Sequence, residues 1–171
     1  VPFDLARGSR FLDRGFSRFY QAHFLRSLRR KAVQKSAQYP RAIRPEVVGR
    51  ARTLYQFDDL IAAPVHGFRD ADDYYTQSSS LHFLARVRTP TLLLSALDDP
   101  FLPRAVLDEV RDIARSNPSL HLEFVERGGH VGFISGTVPW RPFYYAEWRA
   151  TEFLDDMLEG ARPLPAAHGG A

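Results

Sequence analysis

The sequence contains no cysteine. That absence excludes a disulfide framework, thiolate catalysis and cysteine-ligated metal, and it suits a reducing cytoplasm. Long apolar runs are also missing: nothing approaches the ~18 residues a membrane span needs, and no signal-peptide pattern opens the chain. The Asn117-Pro118-Ser119 triplet is disqualified as a glycosylation acceptor by its central proline. No His-Glu-x-x-His or comparable ligand spacing occurs, so neither a metal site nor a cofactor is expected. No internal repeat is found, and low complexity is confined to the tail "ARPLPAAHGGA". Val1 rather than methionine at the start points to a processed or truncated chain.

What is present is the composition of a soluble globular protein: 171 residues, 44% hydrophobic, 13% aromatic and 25% charged, a length suited to one domain. The net charge of +3 hides an asymmetry. Residues 1–52 hold 13 of the 23 Lys and Arg but 3 of the 20 acids; the remainder sets 10 bases against 17 acids. Such an imbalance marks either an anionic partner or a helix with a solvated basic face. No base-stacking platform or nucleic-acid motif accompanies it, so nucleic acid is not expected, while contact with a membrane surface stays open.

Periodicity divides the chain. Residues 9–38 predict a helix, with Leu12, Phe16, Phe19, Tyr20, Phe24, Leu28 and Ala32 on one stripe. Tyr39-Pro40 ends it, because the residue before a proline avoids the helical region. Residues 45–84 read as short helices and loops without a convincing strand. After Pro90, "TLLLSAL" (91–97) is a short apolar run, expected as a strand buried on both faces of a parallel sheet. An amphipathic helix over 103–116 follows, then an alternating strand over 120–126 and a last helix at about 143–159. That helix is expected to turn Tyr145, Trp148, Phe153, Leu154 and Leu158 inward. Strand, helix, strand, helix is the grammar of a parallel α/β sheet.

Ligands of open parallel sheets gather beyond the carboxyl ends of the strands. Asp98 and Asp99 fall just after the first strand. His130, in "ERGGHVGFISG", falls just after the second. On neighbouring strands these side chains converge, and a carboxylate bound to one imidazole nitrogen leaves the other free to take a proton from a nucleophile. Acid then histidine is also the chain order of α/β-hydrolases. The plainer readings are a structural loop histidine and a common Asp-Asp-Pro turn. His23, His66, His82, His121 and His168 lack a comparable setting, and His66 reads as a packing or cap residue.

The stretches "DRGFSRFYQ", "FDDLIAAPVHGF", "DADDYY", "LDDPF" and "GGHVGF" resemble, in this order, the YheT-like branch of the α/β-hydrolases, over Val1 to about Leu158. The resemblance implies a serine hydrolase of carboxylic esters, with small-molecule or lipid ester substrates. It implies that His130 is the catalytic base and Asp99 the acid, with Asp98 the alternative acid. It also implies a helical cap or lid region over 1–85 and the carboxyl-terminal βαβα part of the hydrolase core over 86–160; the low-complexity tail over 161–171 is expected to be mobile.

The family pattern requires a Gly-x-Ser-x-Gly elbow, and no such pentapeptide occurs. Gly15-Phe16-Ser17-Arg18-Phe19 lacks the second glycine, and Ser78, Ser79 and Ser80 lie in no elbow. The resemblance therefore implies a carboxyl-terminal half, with nucleophile, oxyanion donors and most of the sheet upstream of Val1. Two strands make a poor sheet alone, so the isolated chain is expected to be inactive and marginally stable. The alternatives are a non-catalytic remnant that binds a partner, or a basic module binding an anionic surface.

Overall fold

A computed structural model describes residues 3–135, 138 and 140–160; the tail expected over 161–171 lies outside them. Asp4 caps α1 (Leu5–Leu12) by accepting a hydrogen bond from the Arg7 amide at 2.8 Å. The single helix expected over 9–38 is in fact broken. Gly15 adopts a left-handed backbone, φ 53°, which glycine does without steric cost, and α2 starts afresh at Ser17 and runs to Ser36. Its buried stripe is Gln21, Leu25, Ala32 and Ser36, while Phe16, Phe19, Tyr20 and Phe24 are exposed. Both stripes satisfy helical spacing. Ala32 belongs to both and is buried, and Leu28 packs on the same interior, while the aromatic part of the expected stripe faces outward.

Those neighbours are α3 (Pro45–Arg50), α4 (Leu54–Phe57), a π-helical turn (Asp58–Ala62), α5 (Ala63–Val65) and α6 (Ala71–Ser78). Leu25 and Ala32 form one apolar cluster with Val48, Ala51, Phe57 and Ile61. The "FDDLIAAPVHGF" and "DADDYY" stretches supply its polar ties. Tyr75 donates to Asp58 at 2.6 Å, Asp59 accepts from the Ala71 amide at 3.0 Å, and Asp70 caps α6 by accepting from the Asp73 amide at 2.8 Å. Burial pushes the Asp58 carboxyl and the Tyr75 hydroxyl above their ordinary values. His66 is the exposed C-cap of α5, a cap residue as expected. No strand occurs among the described residues of 45–84.

Two short 3₁₀ turns, Ser80–His82 and Leu84–Arg86, lead into β1 (Thr91–Ala96), α7 (Arg104–Ala114) and β2 (Leu120–Val125). The strands pair in parallel from Thr91↔Leu120 to Ala96↔Val125. Leu93 and Leu97, with Leu120, Leu122 and Phe124, face α7 and pack on Val106, Leu107 and Val110, the second apolar cluster. The opposite face meets α8 (Tyr145–Gly160), where Phe153 packs 5.1 Å from the His121 ring and Arg149 donates to Glu123 at 2.6 Å. Helices thus cover both faces of an α/β layer.

Three expectations need correction. Leu92, Leu93 and Leu94 are half-buried rather than enclosed, because β1 pairs with β2 alone among the described strands. Phe143–Tyr144 is not helix. It forms β4, paired antiparallel with β3 (Ile134–Ser135), an unforeseen hairpin too short to leave an alternating pattern. Of the α8 residues expected inside, only Phe153 is buried; Trp148, Leu154 and Leu158 stay exposed because the thin sheet offers one helix-width of cover.

Two ties join the layers. Arg7 bridges Asp4 and Glu109 of α7. Buried Asn117 donates to the Leu84 and Val87 carbonyls at 2.8 and 3.0 Å and accepts from the Ser119 amide at 3.1 Å. Asn117→Ala would leave buried backbone groups short of partners, and it is expected to lower unfolding free energy by roughly 1–3 kcal/mol in urea titration.

Candidate active site

The site forms where β1 and β2 end. Because Ala96 and Val125 are level in the ladder, the loops that follow leave the sheet side by side. The first is short: Leu97 alone separates Ala96 from Asp98, Asp99 and Pro100. The second must turn sharply, and its glycines permit that. A Cβ at Gly128 would lie 2.6 Å from the Phe133 ring and 3.1 Å from the Ala96 Cβ, so no side chain fits there. Gly129 is left-handed, φ 65°, and the bend closes with the Phe133 amide donating to the Gly128 carbonyl at 3.0 Å. Phe133 itself adopts φ 42°, a conformation that costs a non-glycine residue about 1–2 kcal/mol, and its buried ring holds it there.

The two neighbouring aspartates divide their work. Asp98 Oδ1 accepts from the amides of Gly128 and Gly129, both at 2.9 Å, which pins the second loop to the first. These bonds hold its carboxyl below the usual carboxylate range. Asp99 Oδ2 lies 2.9 Å from His130 Nδ1, while its Oδ1 accepts from the Phe101 amide at 2.8 Å. The Asp99 side chain is 6% exposed and the His130 ring 49% exposed, so a buried carboxylate supports a ring that remains accessible. A neutral imidazole held this way donates from Nδ1 and keeps Nε2 as a base. The structure thus brings Asp99 and His130 into contact and turns Asp98 toward the backbone.

Aromatic residues continue the site outward. The Phe101 ring lies 4.5 Å from the His130 ring, and Tyr20 and Phe24 of α2 lie 5.2 and 5.3 Å from Phe101. Ser17 anchors α2 to this loop by donating to the Pro100 carbonyl at 2.9 Å. Helical spacing puts Tyr20 and Phe24 on one stripe but does not show that they meet Phe101. The signal available was the phenylalanine in "LDDPF", too short a string to fix a neighbour from another helix. Among the described residues no group of three or more His, Asp or Glu converges as a metal site would need. No described helix is long and apolar enough to cross a membrane.

The Asp98 bonds have a testable pH signature. Its folded carboxyl value lies below the ordinary unfolded value near 4, so its stabilisation is fully present above that value and is lost as pH falls through the folded one. Asp98→Asn removes the charge but keeps an acceptor. The gap in urea midpoint between wild type and variant, measured from neutral pH downward, is expected to close in the acid range.

Three relatives in known proteomes extend this picture. YheT of Escherichia coli, which carries an esterase name, is 38% identical over 161 residues, 93% of this chain and 46% of its own length. Phospholipase ABHD3 of Mus musculus is 30% identical over 157 residues, 91% of the chain and 38% of the relative. A monoacylglycerol lipase of Saccharomyces cerevisiae is 32% identical over 140 residues, 78% of the chain and 30% of the relative. The chain therefore spans less than half the length of each of these relatives. No family model matches it, and neither does any solved structure. A strand-end Asp–His contact on a parallel α/β layer, in a chain aligned almost throughout with an esterase-named relative, leads to one assignment: the chain belongs to the α/β-hydrolase superfamily, in its YheT-like branch.

Proposed function

We propose that this chain is the carboxyl-terminal part of a serine-type carboxylic ester hydrolase, with His130 as base and Asp99 as acid of a Ser-Asp-His triad. The contact between His130 Nδ1 and the buried Asp99 carboxylate carries the reading. Nε2 takes the proton from a serine hydroxyl as its oxygen attacks the ester carbonyl; the same proton passes to the departing alkoxide, leaving an acyl-enzyme and an alcohol. Water, deprotonated by Nε2, then attacks the acyl carbon; the bond to the serine oxygen breaks, Nε2 returns the proton to that oxygen, and the carboxylic acid leaves. Asp99 fixes the tautomer and stabilises the transient imidazolium.

The serine belongs to an elbow that this chain does not contain, and we place it, with the oxyanion donors, in a segment preceding Val1. The β1 edge away from β2, which pairs with no strand among the described residues, supports a sheet that continues on that side. The first apolar cluster, whose buried members lie between Leu25 and Ile61, supports a cap or lid within 1–85, and Phe3 and Leu84 tie that region to the cluster of the core part over 86–160. Phe101, Tyr20 and Phe24 beside His130 supply an apolar wall suited to an acyl chain. The relatives named phospholipase and monoacylglycerol lipase support lipid esters as substrates. A cysteine-free chain fits the reducing cytoplasm.

The test is turnover of a short acyl ester by the full-length protein, with fluorophosphonate labelling of the serine. His130→Ala is expected to lower kcat by about 10³–10⁶ and Asp99→Asn by about 10⁴. Asp98→Asn, which touches only the loop backbone, is expected to cost far less. Full activity of His130→Ala would overturn the assignment.

A further inference from the structure

The Asp99–His130 hydrogen bond fixes one atom of the imidazole, and a base needs its ring plane fixed as well. The χ2 torsion of histidine is broad, so rotamer preference alone does not set where Nε2 points. The surrounding loop supplies little: Gly129 precedes His130, Val131 is 76% exposed, and Gly132 follows. The ring itself is half-exposed. Among the described residues it makes one aromatic contact, with Phe101, at 4.5 Å and an interplanar angle of 55°. That contact bounds the swing of the ring on one side.

Phe101 is itself held on several sides. Its amide donates to Asp99 Oδ1 at 2.8 Å, which ties its backbone to the carboxylate that meets the ring. A Cβ at Gly8 of α1 would lie 3.2 Å from its carbonyl oxygen, a tight approach that glycine avoids. Its ring meets Tyr20 and Phe24 edge to face, at 5.2 and 5.3 Å. The carbonyl of Pro100, one residue before, accepts from Ser17 at 2.9 Å. Ser17, Tyr20 and Phe24 stand three and four residues apart, so they share one face of α2. An adjoining face buries Leu25 and Ala32 in the helical cluster. The helix is thus anchored in its own apolar interior and applied to the acid loop.

We propose that Phe101 is a positioning residue for His130, and that α2 sets the direction of the imidazole through it. Tyr20, Phe24 and the Ser17 bond hold the Phe101 ring, and that ring holds the histidine. The effect on turnover rests on the ester-hydrolase reading, whereas the support of the ring stands without it. This task is distinct from lining an acyl chain: it acts on the rate of proton transfer and not on the hold on substrate.

The experiment is a double-mutant cycle in the full-length protein, read with an acetyl ester, which offers no chain to an apolar wall. Phe101→Ala is expected to lower kcat by about tenfold to a hundredfold while KM stays within about twofold. Phe101→Tyr, which keeps the ring, is expected to retain most of kcat. Tyr20→Ala with Phe24→Ala is expected to cost about tenfold in kcat when Phe101 is present and almost nothing in Phe101→Ala. Losses that simply multiply, a raised KM at unchanged kcat, or full activity of Phe101→Ala would each overturn the proposal. A second reading needs no turnover. In protein carrying isotope-labelled histidine, the Nδ1–H signal of His130 is expected to exchange with water faster in Phe101→Ala and in the α2 double variant than in wild type. Equal exchange would overturn the proposal. The α2 double variant removes rings that are already partly exposed, so it keeps the test open if Phe101→Ala does not fold. Wild-type protein without turnover, yet with Phe101-dependent exchange, would sink the hydrolase reading and leave the positioning role standing.

Discussion

The parallel register of β1 and β2 sets the position of everything at the site. Thr91 pairs with Leu120 and Ala96 with Val125, so the strands finish at the same height. Two loops then start from adjacent points, and short side chains suffice to join them. A shift of one residue would turn every strand side chain to the wrong face and separate the loops. The apolar contacts of Leu93, Leu122 and Phe124 with α7 hold that register. Core packing and site geometry therefore share one cause.

Within that frame, consecutive carboxylates are used differently because consecutive residues point in different directions. Asp98 binds two backbone amides and secures a loop, while Asp99 is buried and meets a side chain. The loop it meets is itself under constraint. Gly128 has no room for a Cβ, and Phe133 holds an uncommon conformation beneath it. The imidazole is thus carried on a bend that has little freedom to relax. A ring that must meet a carboxylate at hydrogen-bond distance benefits from that rigidity.

Much of this was legible in the residues. A bounded apolar run, an amphipathic helix and an alternating run predicted β1, α7 and β2 with their parallel pairing, because burial on a sheet leaves an unambiguous period. The convergence of Asp98, Asp99 and His130 on one rim followed from where they stand relative to strand ends. Which aspartate contacts the ring did not follow, since both lie in the same turn and only three-dimensional direction separates them. The α2 stripe is legible only in part: Ala32 and Leu28 meet the interior as the spacing implies, but Phe16, Phe19, Tyr20 and Phe24 face outward, and Gln21 and Ser36, which an apolar pattern passes over, turn inward. Gly15 was read through rather than as a break, and the two-residue strands of the hairpin are too short to carry a pattern.

The division between Asp98 and Asp99 has a consequence for how this segment tolerates change in length. Between Ala96 and Phe101 the chain has no slack: Asp99 N donates to Ala96 O, and Asp99 Oδ1 accepts from Phe101 N. Inserting a single residue before Asp98 would present the loop anchor to the imidazole and leave the glycine amides without a carboxylate, while deleting one would present Asp99 to those amides and leave the imidazole without its partner. Gaps are thus far more easily absorbed in the links between the short helices of 39–70, where a lengthened turn displaces nothing that must be met atom for atom.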